Sequence, residues 1–105
     1  MAYTLHMATF DDQDVSKTLQ QIPNVGPAIA ADLLRLGVKS VEALKGADPT
    51  VLYDKLSALD GQAHDPCVWD VFAAAIEYAE SGQTKAWWHY TPKRKELFKN
   101  LDRTP

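Results

Sequence analysis

Leu19-Gln20-Gln21-Ile22-Pro23-Asn24-Val25-Gly26-Pro27-Ala28-Ile29-Ala30-Ala31-Asp32-Leu33-Leu34 decides the reading of this chain. An apolar stretch ends at Ile22, a Pro-Asn-Val-Gly-Pro turn follows, and a second apolar stretch starts at once. Pro23 disfavours helical geometry at the residue before it, so a helix ends near Ile22. Pro27 suits the first turn of the next helix, where its missing N–H is harmless. Apolar residues at 29, 30, 33, 34 and 36 give that helix one buried face, and Gly37 is a natural left-handed stop. Gly26 is expected where a side chain would block the backbone or strain the dihedral. Two helices joined this tightly must pack with their apolar faces together.

The same punctuation recurs along the chain. Residues 1–13 carry no helical period and read as loose, and Asp14 or Ser16 can cap the first helix. Ser40 opens a short helix through Lys45 with Val41 and Leu44 inward. Asp48-Pro49 starts a helix to about Leu59 with a stripe of Val51, Leu52, Leu56 and Leu59, ended by Gly61. Asp65-Pro66 starts the longest helix, to about Ser81, with Val68, Phe72, Ala75, Ile76 and Ala79 at helical spacing and Gly82 as its stop. Thr91-Pro92 is a further start, for a helix carrying Leu97, Phe98 and Leu101. No segment alternates with a period of two over a strand's length. The expectation is one all-α domain over 1–105, a compact bundle of about five or six short helices. Its parts are a hairpin plus short helix at 15–45 and a C-terminal helical half at 48–101.

Composition bounds the function. Apolar residues make up 46% and charged residues 24%, as in an ordinary globular domain. One cysteine excludes an internal disulfide, and no Cys–His spacing suits a structural zinc. The N-terminus lacks the pattern of a signal peptide, and no apolar run approaches the roughly 20 residues that span a bilayer. The expectation is a cytoplasmic protein of a bacterium-like source with no membrane partner. A net charge of −3 argues against strong binding to DNA by bulk charge. The distribution is uneven, however: residues 42–81 hold eight acids and two bases, and residues 82–105 hold six bases and two acids. A basic end of this kind either faces a partner or is a solvated helix face.

The turn carries the clearest chemistry. The N–H groups of Gly26, Ala28 and Ile29 lie at the start of the second helix, and Pro27 has none. Such donors, with the helix dipole, attract phosphate. Contacts of this type position a duplex without reading its sequence. Carbonyls at the end of the first helix are short of partners and could converge on a monovalent cation. Arg35 and Lys39 are the nearest bases, opposed by Asp32. The same turn also serves as a tight connector, or as a protein-binding unit.

Two other stretches are dense. In His64-Asp65-Pro66-Cys67-Val68-Trp69-Asp70-Val71-Phe72, a thiol in a helix's first turn can be activated, with His64 or His89 as its base or as a metal ligand. Asp65 opposes this by raising the thiol pKa, a lone Cys is most often a small core residue, and a zinc site lacks a second Cys. The expectation is no enzyme and no cofactor beyond a monovalent ion. Lys85-Ala86-Trp87-Trp88-His89-Tyr90-Thr91-Pro92-Lys93-Arg94-Lys95 interleaves aromatics with bases, a pattern for stacking on exposed bases beside phosphates. Indoles also fill cores, and at least one of Trp87 and Trp88 is assigned there.

The Ile22–Leu34 order resembles the helix-hairpin-helix motif of DNA repair and replication proteins. The likeness continues through Gly37-Val38-Lys39-Ser40-Val41-Glu42-Ala43-Leu44, a pattern that follows such hairpins in family X DNA polymerases. The resemblance implies phosphate contacts from the N–H groups of Asn24, Gly26, Ala28 and Ile29, and a potassium or sodium ion on the carbonyls of Gln20, Ile22 and Val25. Asn24 stands where the motif usually has its first glycine, and Asn tolerates left-handed geometry better than most residues. Adding Asp65-Pro66-Cys67-Val68, Asp70-Val71-Phe72, Ala74-Ala75 and Lys85 with Trp87-Trp88, residues 15–95 resemble a small bacterial family. It is named pathogenicity-locus protein and is also labelled mitomycin-resistance protein. That resemblance implies non-sequence-specific DNA binding, accessory to DNA repair or mitomycin resistance. Lys93, Arg94, Lys95 and Lys99 of the basic tail are candidate further contacts. The alternative is a protein–protein interaction module or homodimer with a purely structural hairpin.

Overall fold

The structure, a computed structural model, describes residues 12–103. Helices α1 (Asp12–Leu19), α2 (Pro27–Arg35), α3 (Pro49–Asp60), α4 (Cys67–Ser81) and α5 (Thr91–Asn100) are joined by loops that carry 3-10 turns at Glu42–Leu44 and Trp87–Tyr90. The described residues contain no strand, so the fold is all-α as the sequence predicts. No helix among them is long and apolar enough to cross a membrane.

Proline and aspartate set the helix starts. Asp48 accepts the Thr50 N–H at 2.8 Å, and Asp65 Oδ1 accepts the Cys67 N–H at 2.9 Å. Gly61 and Gly82 end α3 and α4 at φ +69° and +77°, where a side chain would be strained. The first helix departs from expectation at both ends. Asp14 and Ser16 lie inside α1 rather than at its cap, and Ser16 Oγ accepts from Gln20 Nε2 at 3.1 Å. Asp12 and Gln13 are helical, and residues 1–11 lie outside the described part of the chain. The helix closes at Leu19, not near Ile22. The backbone then tightens into shorter bonds, from Gln21 N–H to Thr18 O at 3.2 Å and from Ile22 N–H to Leu19 O at 3.0 Å.

One core joins the elements. Leu19, Ile22, Leu33, Leu44, Leu56, Trp69, Phe72 and Phe98 are all but sealed from solvent. Each such side chain contributes about 1.5–3 kcal/mol by leaving water. On α3 the buried stripe is Leu52, Tyr53 and Leu56, while Val51 and Leu59 are exposed. The helix is turned toward α4 and α5 because Tyr53 packs on Phe98, ring centroids 5.9 Å apart, and its hydroxyl donates to the His64 carbonyl. Leu101 is likewise exposed, one residue beyond α5.

The polar interior was not anticipated. Asp70, on α4, is fully buried. Its Oδ1 accepts Arg94 Nε at 2.8 Å and its Oδ2 accepts the Thr91 hydroxyl at 2.6 Å. Arg94 is 4% exposed, so it belongs to the core and not to a basic tail contact. The reason is physical: a carboxylate taken out of water needs a cation and hydrogen-bond donors, and α5 supplies both. Trp69 meets the same end of the core, its ring 6.3 Å from Phe98 and its Nε1 donating to Thr50 Oγ1 at 2.9 Å.

Candidate functional site

The α1–α2 turn is anchored by Ile22 and Val25, both buried, and closed by the Val25 N–H on the Ile22 carbonyl at 3.1 Å. Asn24 takes the left-handed conformation, φ +72°. Its side chain does more than permit the turn. Asn24 Nδ2 donates to the Lys85 carbonyl at 2.7 Å, which fixes the turn to the segment leading into Trp87–Tyr90. Asn24→Gly should lower stability by about 1 kcal/mol through that lost bond. Asn24→Ala should cost roughly 1–2 kcal/mol more, because alanine resists left-handed geometry. Urea titration of both variants measures the difference; equal losses would contradict the conformational share.

Gly26 sits at the N-cap of α2 with φ −93° and ψ −172°, extended backbone that any residue adopts. A Cβ built there would meet nothing within 4 Å. Neither crowding nor strain inside the chain therefore calls for glycine, which corrects the sequence expectation. No side chain caps α2, and its first turn holds no acid. Gly26 and Ala28 are exposed and Ile29 is half-buried, so the helix start opens outward beside them.

The bases expected beside the turn are not all free to act. Arg35 is held by Asp60, with which it pairs through both Nη atoms, and by Asp32 at 3.4 Å. His64 Nε2 also reaches Asp60, at 2.5 Å. The Arg35 guanidinium and the His64 ring hold the Asp60 carboxyl below the usual carboxylate range. This cluster clasps the end of α2 to the end of α3 and neutralises Arg35 locally. Lys39 is exposed, as are Lys93, Lys95 and Lys99 along α5. Lys85 lies 3.5 Å from Glu77.

Neither Trp87 nor Trp88 is sealed in the core. Trp87 is half-buried, and Trp88 is 60% exposed. Their rings meet at 82°, centroids 5.7 Å apart, while His89 lies nearly parallel to Trp88. The third tryptophan, Trp69, is the buried one. Cys67 gains no base: His64 turns to Asp60 and His89 lies beside Trp88. Burial and the neighbouring Asp65 carboxylate push its thiol pKa up, which opposes thiolate chemistry. Among the described residues, no three His, Cys, Asp or Glu side chains gather as a metal site.

Sequence reading missed a groove of about 720 Å³ between Gly46–Thr50, α4 and α5. Ala73, Ile76, Leu97 and Leu101 form its apolar lining, with Asp48, Glu77, Glu80 and Lys93 around them. Its carboxylates are already engaged. Glu80 accepts the Gly46 N–H at 2.8 Å, Asp48 caps Thr50, and Glu77 accepts the Tyr90 hydroxyl. Burial, reinforced by Glu77, pushes the Tyr90 hydroxyl pKa up.

Residues 12–96 match the family described as Cdd1, Pathogenicity locus. The chain is 40% identical over 79 residues to a protein of Streptomyces lavendulae described as mitomycin resistance protein McrB, covering 75% of each chain. No solved structure matches it. A family match across nearly all of the helical core, from the start of α1 into α5, shows that the chain belongs to the pathogenicity locus family.

Proposed function

We propose that this protein binds DNA through the phosphate backbone without reading sequence, using Pro23–Pro27 as a helix-hairpin-helix turn. The observation that carries the reading is the open, uncapped start of α2 fronted by Gly26, where a side chain would meet nothing in the chain itself. Such a glycine is accounted for by a partner approaching from outside, and backbone N–H groups at a helix start suit phosphate oxygens. The N–H groups of Asn24, Gly26, Ala28 and Ile29 are the donors, with exposed Lys39 as a further candidate contact. A potassium or sodium ion on the carbonyls of Gln20, Ile22 and Val25 would face the same phosphate. The role is binding rather than catalysis. The name of the Streptomyces relative supports a part in mitomycin resistance, and an accessory role in DNA repair belongs to the same proposal.

With Arg35 neutralised and Arg94 buried, affinity is weak and confined to low salt, falling with each phosphate contact as salt rises. Gly26→Glu places bulk and negative charge at the donors and should weaken duplex binding at least roughly tenfold, about 1.4 kcal/mol. Its melting temperature should stay near wild type, because the added side chain points into open space. Mobility shifts at low salt test this. Wild-type affinity in Gly26→Glu would remove the turn from the contact. The apolar-lined groove favours a second reading, a protein interaction module or homodimer. A monodisperse dimer in sizing, with no DNA shift at low salt, would favour that reading instead.

A further inference from the structure

Trp88 is the most exposed of the large apolar side chains among the described residues. It does not sit on a loose loop. It lies in the 3-10 turn Trp87–Tyr90, and that turn is pinned at both ends. On one side Asn24 holds the Lys85 carbonyl. On the other, the Tyr90 hydroxyl donates to Glu77 and the Thr91 hydroxyl to buried Asp70. Trp87 supports the Trp88 ring edge-on. The result is an indole on a backbone tethered to either side of it, braced edge-on by Trp87, with much of its surface open to solvent.

Its location sets the partner. Trp88 lies three positions after Lys85, so their Cα atoms are at most about 11 Å apart. The indole is therefore carried on the segment whose Lys85 carbonyl is tethered to the turn that precedes α2. A DNA strand with a phosphate at that turn would need to extend only a few nucleotides to meet it. A base inside a duplex is covered on both faces by its neighbours in the stack, and only an unpaired or displaced base can offer a face to a tryptophan. We infer that Trp88 is a stacking platform for an unpaired base of a strand whose backbone is held at the α1–α2 turn. This rests on the backbone-binding reading above and adds the class of DNA preferred: single-stranded, gapped or locally unpaired.

Binding of a thymidine-rich single strand, a gapped duplex and a blunt duplex at low salt tests the inference, read by anisotropy and by intrinsic tryptophan fluorescence. The wild type should bind the single strand and gap more tightly than the blunt duplex and lose fluorescence on doing so. Trp88→Ala should weaken single-strand binding roughly tenfold and leave blunt-duplex binding unchanged, while Trp88→Phe keeps most of it. Trp88→Leu retains apolar bulk without a π face and should behave as Trp88→Ala. An unchanged ratio of single-strand to duplex affinity in Trp88→Ala and Trp88→Leu overturns the platform, and so does unchanged fluorescence at saturation. If Gly26→Glu binds duplex normally while Trp88→Ala still loses the single strand, the backbone reading falls, and with it the turn's share in the platform, while base stacking on Trp88 stands. The absence of binding to all three DNAs overturns both.

Discussion

Asp70→Ala should cost about 3–5 kcal/mol of stability, because it strands a buried guanidinium without its carboxylate. Arg94 is 4% exposed, so solvent cannot replace the lost partner without opening the packing of α5 on α4. Against the 5–15 kcal/mol typical of a domain, a loss of that size leaves much of the population unfolded at moderate temperature. The Thr91 hydroxyl loses its acceptor as well, which loosens the start of α5. Replacing both charges, as in Asp70→Leu with Arg94→Met, should recover a large part of the loss, since two apolar groups need no pairing. Urea unfolding followed through tryptophan fluorescence measures each variant. A single Asp70→Ala variant within about 1 kcal/mol of wild type would show that water already reaches the pair.

Phe98→Ala is the other large effect, at about 3–5 kcal/mol. Phe98 is 2% exposed and packs against two other helices. Its ring lies 5.9 Å from Tyr53 of α3 and 6.3 Å from Trp69 of α4, and the Arg94 and Arg103 guanidiniums approach it at 5.9 and 5.5 Å. Truncation removes the ring that these aromatics pack against and leaves two cations facing a void. Arg103 should lose order with it, although its two bonds to Asp54, at 2.9 and 2.8 Å, keep it near the surface. Calorimetric melting gives the loss, and a shift of only a degree or two would mean that the site collapses around the gap.

Much of this fold is written in local punctuation. Asp48-Pro49 and Asp65-Pro66 start helices because a carboxylate and a proline satisfy or remove donors that would otherwise be bare. The left-handed stops at Gly37, Gly61 and Gly82 are legible for the same reason, since the backbone decides them locally. What the sequence hides is the pairing of distant groups. Arg94 reads as one more base in Lys93-Arg94-Lys95, and nothing within its own helix reveals that Asp70 of α4 claims it. Val51 and Leu59 fit an apolar stripe at helical spacing, yet Tyr53 wins the inward position because its hydroxyl finds the His64 carbonyl while its ring meets Phe98.

The candidate site follows the same division. The outward helix start at Gly26 and the left-handed Asn24 come from turn chemistry and are readable in order along the chain. The neutralisation of Arg35 by Asp60 depends on where α3 ends in space, and it removes a base that the sequence offers on the same helix as the candidate donors. Asn24 in a glycine's position carried one available signal. A residue that tolerates the left-handed region less well than glycine, yet occupies it, is expected to have a second task, and its bond to Lys85 is that task.

That bond also orders events in time. Synthesis delivers the two helices around the turn first, and their mutual contacts are short-range and quick to form. The carbonyl that pins Asn24 lies 61 residues further on, so the turn waits for nearly the whole chain before it is fixed. A polypeptide interrupted before Lys85 would carry the turn's residues in full and still leave it untethered.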